Sequence, residues 1–148
     1  MTFYGKALEI CHQSLPPNHP QTWKVLTNIG GLYYEKSNWL EALKYFERGL
    51  EIDKLLLSKN HPDLIASYNN LASIYHHMRN DNLAIEMFEN VLNCSIALPP
   101  SFEIAHTNNN CGVLYFKLGN YTMALEKFRV AYEMGSKLHV MDASQLLM

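Results

Sequence analysis

Between residues 20 and 138, apolar side chains recur at helical spacing in six separate stretches. The first, 20–36, carries Leu26, Ile29, Leu32 and Tyr33 on one face. The second, 39–57, carries Leu43, Phe46, Leu50 and Leu57 along one stripe, with Glu41, Lys44, Glu47, Arg48 and Glu51 on the wet side. Helices are predicted there and over 63–78, 82–97, 102–118 and 121–138. Prolines separate the pairs, at Pro16-Pro17, Pro20, Pro62 and Pro99-Pro100, because each removes a donor and pushes the preceding residue out of the helical region. Within a pair the break is short, at Ser37-Asn38, Arg79-Asn80 and Gly119-Asn120, so the two helices are forced antiparallel. Asn38 with Glu41 resembles a capping box. Arg79 lacks the easy left-handed backbone of a glycine, and its turn is expected to be the least stable.

The pairs are copies of one another. Small residues stand at Gly30, Ala72 and Gly112, tyrosines at Tyr33, Tyr75 and Tyr115, alanines at Ala42, Ala84 and Ala124, and phenylalanines at Phe46, Phe88 and Phe128, at offsets of 42 and then 40. A helical period of that size means a stack in which each unit buries its apolar face only against its neighbours. Upstream, Ala7-Leu8-Glu9-Ile10 in an amphipathic stretch 3–14 matches Gly49-Leu50-Glu51-Ile52, so the chain is expected to open inside the second helix of an earlier pair. The units are 1–18 (a half repeat, second helix only), 19–60, 61–100 and 101–138, with 139–148 expected to be a tail or a short helix that partly caps the open end.

Small-x-x-Tyr followed by Ala-x-x-x-Phe, three times over, resembles the tetratricopeptide repeat across about residues 4–137. The Asn-His-Pro openings at residues 18–20 and 60–62, the Ala-Leu-Glu-Ile segment and Asn69-Asn70-Leu71-Ala72 are similar to the long-period repeats of kinesin light chains. The resemblance implies an all-α, right-handed solenoid of about three and a half repeats, in which the first helices line a concave groove and the second form its outer wall. It implies a non-catalytic adaptor that binds short extended peptides. The third repeat has Ser101-Phe102 in place of His-Pro, and the heptad segment of a kinesin light chain is absent from this sequence, so motor association does not follow.

Composition narrows the partner classes. The chain has 148 residues, 48% hydrophobic and 18% charged, with a formal charge of −2, which gives no broad electrostatic reason to bind nucleic acid or an anionic membrane. Its longest apolar runs are about four residues, against roughly 20 for a bilayer span. The opening MTFYGKALEI has no charged region leading into an apolar core, so no secretory leader is expected. Three cysteines, Cys11, Cys94 and Cys111, without a CxxC spacing, read as reduced packing thiols of a cytoplasmic protein.

Residues three, four and seven apart share a helix face, which turns Ala66, Asn69, Ser73 and His76 or His77 of the middle repeat toward the groove. The equivalent sets are Lys24, Thr27, Gly31, Tyr34 and Glu35, and His106, Asn109, Val113, Phe116 and Lys117. From these the expected peptide-binding residues are Lys24, Thr27, Tyr34, Asn69, Ser73, His76, His106, Asn109, Phe116 and Lys117. An asparagine amide both donates and accepts, and so holds a peptide backbone of any sequence. The family's clamping asparagines transfer to Asn69 and Asn109, while Asn28, Asn70 and Asn110 read equally well as bonds between neighbouring helices. Through the bodies of the groove helices the acids reduce to Glu35, against Lys24, Lys36, Arg79 and Lys117, which favours an acidic peptide with an aromatic or leucine anchor.

No metal or cofactor is expected. His76 and His77 point about 100° apart, and His106 stands ten helical positions away in its repeat, roughly 15 Å along the axis, so the three do not share an ion. There is no HExxH, phosphate loop or nucleophile motif, and the chain is not read as an enzyme. Two other readings stay open. The array would target a catalytic domain of a larger protein, of signalling-ATPase or ADP-ribosyltransferase type, or apolar end faces would stack copies end to end into an oligomer.

Overall fold

The computed structural model describes residue 6 and residues 20–145, and the expected half repeat at 1–18 lies outside the described residues except for Lys6. Six helices follow in order: α1 Pro20–Glu35, α2 Trp39–Leu56, α3 Pro62–His77, α4 Asp81–Ser95, α5 Phe102–Lys117 and α6 Tyr121–Gln145. There is no strand among the described residues. Each helix packs principally on its neighbours in the chain, in the series α1·α2, α2·α3, α3·α4, α4·α5 and α5·α6. That is a solenoid and not a bundle about one centre.

The repeated landmarks are the packing code. A Cβ on Gly30 would sit 3.1 Å from the ring of Phe46, and one on Gly112 would sit 2.8 Å from the ring of Phe128. The small residue of each first helix therefore makes room for the phenylalanine of the second, and Ala72 meets Phe88 in the same way within one buried cluster. Between pairs, Phe46 and Leu50 of α2 pack with Leu64, Tyr68, Leu71 and Ile74 of α3 and Val91 and Cys94 of α4. Ile85 of α4 packs with Cys111 and Leu114 of α5.

The three turns inside the pairs are one structure with three different residues. Ser37, Arg79 and Gly119 all have positive φ, of 56°, 61° and 78°. The following asparagine N–H reaches back five residues to a tyrosine carbonyl, Asn38 to Tyr33, Asn80 to Tyr75 and Asn120 to Tyr115, each at 2.9 Å. This is the Schellman closure of a helix C-terminus. Each asparagine then caps the next helix, its side-chain oxygen accepting from the N–H of Glu41, Leu83 or Met123. Arg79 thus takes the left-handed conformation that its side chain disfavours, because the closure and the cap on either side hold it there. The reciprocal half of a capping box is missing at Asn38: its N–H is already bonded to Tyr33, and Glu41 pairs with Lys44 instead. A left-handed non-glycine residue carries a steric penalty, so Arg79→Gly is expected to stabilise the fold by about 0.5–1 kcal/mol. Thermal unfolding should show a midpoint about 2 °C higher, since 1 kcal/mol is worth about 2–4 °C at this size.

Residues 139–145 do not begin a separate helix. α6 runs unbroken to Gln145, seven residues past its expected end at 138, because no proline or closing turn interrupts it, and 146–148 lie outside the described residues. No helix among the described residues is long and apolar enough to cross a membrane.

Candidate functional site

Two hollows open along the exposed face of α3. The smaller, about 190 Å3, is lined by Tyr34 of α1, Ser73, His76 and His77 of α3, Phe88 of α4 and Asn110, Val113 and Leu114 of α5. Three successive first helices of the repeats therefore share it. Its histidines are held in place. His77 stacks on Trp39 of α2, with ring centroids 4.4 Å apart and planes within 3°, and its Nε2 lies 2.9 Å from the Tyr34 hydroxyl. The Nδ1 of His76 donates to the Asp81 carboxylate at 3.0 Å, tying α3 to the first turn of α4.

The larger hollow, about 690 Å3, runs from the first half of α3 to the first half of α5 across the 96–101 linker. Ile65, Val91, Leu98 and Ile104 make it apolar, and Asn69 and Asn70 reach into it with Asp63 and Glu103. Both carboxylates stand in the first turns of their helices, where they complement the helix dipole. No lysine or arginine lines it, so the mildly basic groove expected from the helix bodies does not extend to this end. Asp63 and Glu103 lie in the first turns, outside those helix bodies.

Of the expected binding residues, Tyr34, Ser73 and His76 come together in the smaller hollow and Asn69 lies in the larger. Lys24 lines a third hollow, between α1, α2 and the start of α3, with Trp23, Asp53 and Asp63. Thr27, His106, Asn109, Phe116 and Lys117 line none of these three. Thr27 faces α2 close to Gly49, and Phe116 packs edge-on against Tyr121 at 5.4 Å. In α5 it is Asn110, not Asn109, that faces the shared hollow. The two helices are turned alike, since the buried positions Leu64, Ser67, Tyr68, Leu71, Ala72 and Ile74 of α3 recur as Ile104, Thr107, Asn108, Cys111, Gly112 and Leu114 of α5. The hollow lies between them, so α5 offers the 110–113–114 edge turned back toward α3, where α3 offers Ser73, His76 and His77. Asn28, Asn70 and Asn110 make no side-chain bond to a neighbouring helix among the described residues; the buried amide is Asn108, which donates to the Ile104 carbonyl at 3.0 Å.

Polar pairs that sequence reasoning assigned to solvent or overlooked join the repeats. The Tyr75 hydroxyl donates to Glu47 at 3.0 Å, and the Tyr115 hydroxyl donates to Glu89 at 3.2 Å. Glu47 and Glu89 stand 42 apart, Tyr75 and Tyr115 40 apart, which is the signal that reveals the pairing. Burial, reinforced by the neighbouring carboxylate, pushes both phenols up to about 12, so they stay donors. Glu89 also binds the Lys127 ammonium at 2.7 Å. Deep in the α2–α3 contact, the Ser67 hydroxyl donates to buried Asp53 at 2.5 Å, and burial raises that carboxyl above its ordinary range. Cys94 and Cys111 are buried and free. Burial, with Glu89 beside it, pushes the Cys111 thiol up to about 12, far from the thiolate a nucleophile needs.

Three family matches cover nearly the whole chain, at residues 2–55, 24–97 and 63–137, all to the tetratricopeptide repeat. Among solved structures, BtubC (BKLC) from P. vanneervenii superposes with a TM-score of 0.85 at 20% identity, over 93% of this chain and 56% of that one. A Podosopora anserina protein described as a kinesin light chain, with nearly identical TPR-like repeats, gives 0.78 at 20% identity, over 92% of this chain and 65% of its own. The apo form of RapI gives 0.80 at 18% identity, over 92% and 48%. The chain thus spans between about half and two thirds of these relatives' lengths. Among curated proteins none matches in sequence.

Proposed function

The chain belongs to the tetratricopeptide repeat family, and from that premise we propose that it is a non-catalytic interaction scaffold that binds a short extended segment of another protein along α1, α3 and α5. The observation that carries the reading is the smaller hollow, to which all three of these helices contribute. Its volume, about 190 Å3, suits one aromatic or leucine side chain, with Phe88, Val113 and Leu114 as apolar walls. Asn110, Ser73 and the histidines supply polar atoms at the rim, and Asn69 continues the line toward the larger hollow. Acidic residues of the ligand belong beside His76 and His77, because Asp63 and Glu103 repel them at the other end. Buried, unreactive thiols fit a cytoplasmic adaptor.

Val113 is partly exposed on the hollow's wall, so Val113→Arg fills the space without disturbing the core. Peptides selected from a random displayed library on the wild-type chain are expected to bind Val113→Arg at least tenfold more weakly, a loss of about 1.4 kcal/mol. The melting temperature should stay within about 2 °C. Equal binding by both proteins would remove the hollow from the interaction.

A further inference from the structure

The larger hollow and the third hollow are the same place in successive repeats. Ile65, Ala66, Ser95 and Leu98 around the larger correspond to Trp23, Lys24, Asp53 and Leu56 around the third at the offset of 42, and Glu103 corresponds to Asp63 at the offset of 40. What fills the two differs. Where the first repeat has Trp23 and Lys24 the second has Ile65 and Ala66, and the space is about 690 Å3 instead of about 210 Å3. In the third hollow a lysine stands with two carboxylates, Asp53 and Asp63; the larger again has two, Asp63 and Glu103, but an alanine in the lysine's position.

Those two carboxylates are not neutralised by their neighbours. Glu103 has no ion pair among the described residues. Asp63 lies 3.8 Å from the Nδ1 of His61, but that nitrogen accepts the Asp63 N–H at 3.1 Å and so has no proton to offer the carboxylate. The nearby hydroxyls are engaged elsewhere, Ser95 donating to the Val91 carbonyl and Thr107 to the Glu103 carbonyl within their own helices.

We infer that the larger hollow holds a lysine or arginine side chain of the bound segment, its aliphatic stem on Ile65, Val91, Leu98 and Ile104 and its charged head at Asp63 and Glu103. This rests on the peptide-binding reading and adds the chemistry of the ligand's other end. A long basic side chain joins an apolar stem to a cationic head, which matches an apolar floor with a carboxylate rim. A wholly apolar anchor would desolvate the carboxylates without pairing them, and an acidic one would meet like charge. The first repeat supplies its own lysine at this place, and the second leaves the place to the ligand. The bound segment is then dipolar, acidic toward His76 and His77 and basic toward Asp63 and Glu103. From Asn69 to His76 is about 10 Å along α3, which an extended chain covers in about three residues.

The test selects a random displayed peptide library on the intact chain, then synthesises the tightest binder as found and with its basic residue changed to glutamate. Selected sequences should carry lysine or arginine about three residues from the aromatic or leucine anchor. The glutamate version should bind about tenfold more weakly, the worth of a charge-assisted bond. Glu103→Lys in the chain should reverse that order, and Ala66→Lys, which copies Lys24, should erase the preference. Glu51→Lys on the outer wall makes the same change of net charge as Glu103→Lys and should leave the order as in the wild type. All three positions are exposed, and circular dichroism confirms that the variants fold. Peptides that lose binding on Val113→Arg yet show no basic preference, or a preference that survives both Glu103→Lys and Ala66→Lys, would overturn the basic subsite and leave the peptide hollow standing. Selection of no peptide at all would remove both.

Discussion

Leu71→Ala is expected to cost the fold about 3 kcal/mol, the middle of the range for truncating a buried leucine. Leu71 is 2% exposed in the cluster that joins α2, α3 and α4, so the cavity opens where two repeats meet and few neighbours are free to close it. At this chain length the midpoint of thermal unfolding should fall by about 6–12 °C. The consequence is larger than the number suggests, because a repeat array holds together through nearest-neighbour contacts alone. Loss of this one should broaden the transition, as the first repeat begins to melt apart from the rest. Circular dichroism melts monitor both effects. Leu125→Ala is the control: the same chemistry at the equivalent of Ile85, on an uncovered face, should change stability by no more than about 0.5 kcal/mol. If the two leucines behaved alike, the packing described between repeats would be wrong.

The second large effect falls on Glu89, which ties three helices together. Its carboxylate receives the Tyr115 hydroxyl and lies 3.7 Å from the Cys111 sulfur, both on α5, and it binds Lys127 of α6. The side chain of Lys127 is only 11% exposed, so Glu89→Ala strands an ammonium in a nearly dry place and leaves a phenol without its acceptor. Breaking a fully buried pair from one side costs about 3–5 kcal/mol; Glu89 is itself partly exposed, which brings the expectation down to about 2–3 kcal/mol. Most of that cost is the unpaired lysine and not the lost attraction. Lys127→Met in the same chain should therefore recover a large part of it, and a double-mutant cycle in urea melts reads the coupling directly. Glu47→Ala removes the corresponding carboxylate one repeat earlier, where the tyrosine has no lysine beside it. It should cost less than about 1 kcal/mol.

The stacked helices were legible because their determinants are local and repeated. A small residue opposite a phenylalanine, an alanine four positions before it and a period near 40 each appear three times, so that Gly30, Ala72 and Gly112 identify one another. The turns were legible only in part. Gly119 announced a left-handed stop, whereas Ser37 and Arg79 hid the same conformation behind ordinary side chains. The reliable marker was the asparagine after each of them, Asn38, Asn80 and Asn120, which both closes one helix and caps the next. The candidate site was less legible still. Its residues come from four helices, and α3 and α5 meet it with opposite edges, so adding 40 to the α3 numbers names the edge of α5 that faces away from it.

By itself the sequence determined that this chain is helical, that its helices pair and stack, and which side chains lie between them, since helical period and side-chain volume are written residue by residue. Only the tertiary structure decided that Asn110 and not Asn109 faces the hollow, and that Glu47 and Glu89 receive tyrosines from the next repeat. The physical reason is that a hydrogen bond or a cavity between helices depends on how each is turned against its neighbour. That angle is set by the sum of many packing contacts, and no single residue in the chain records it.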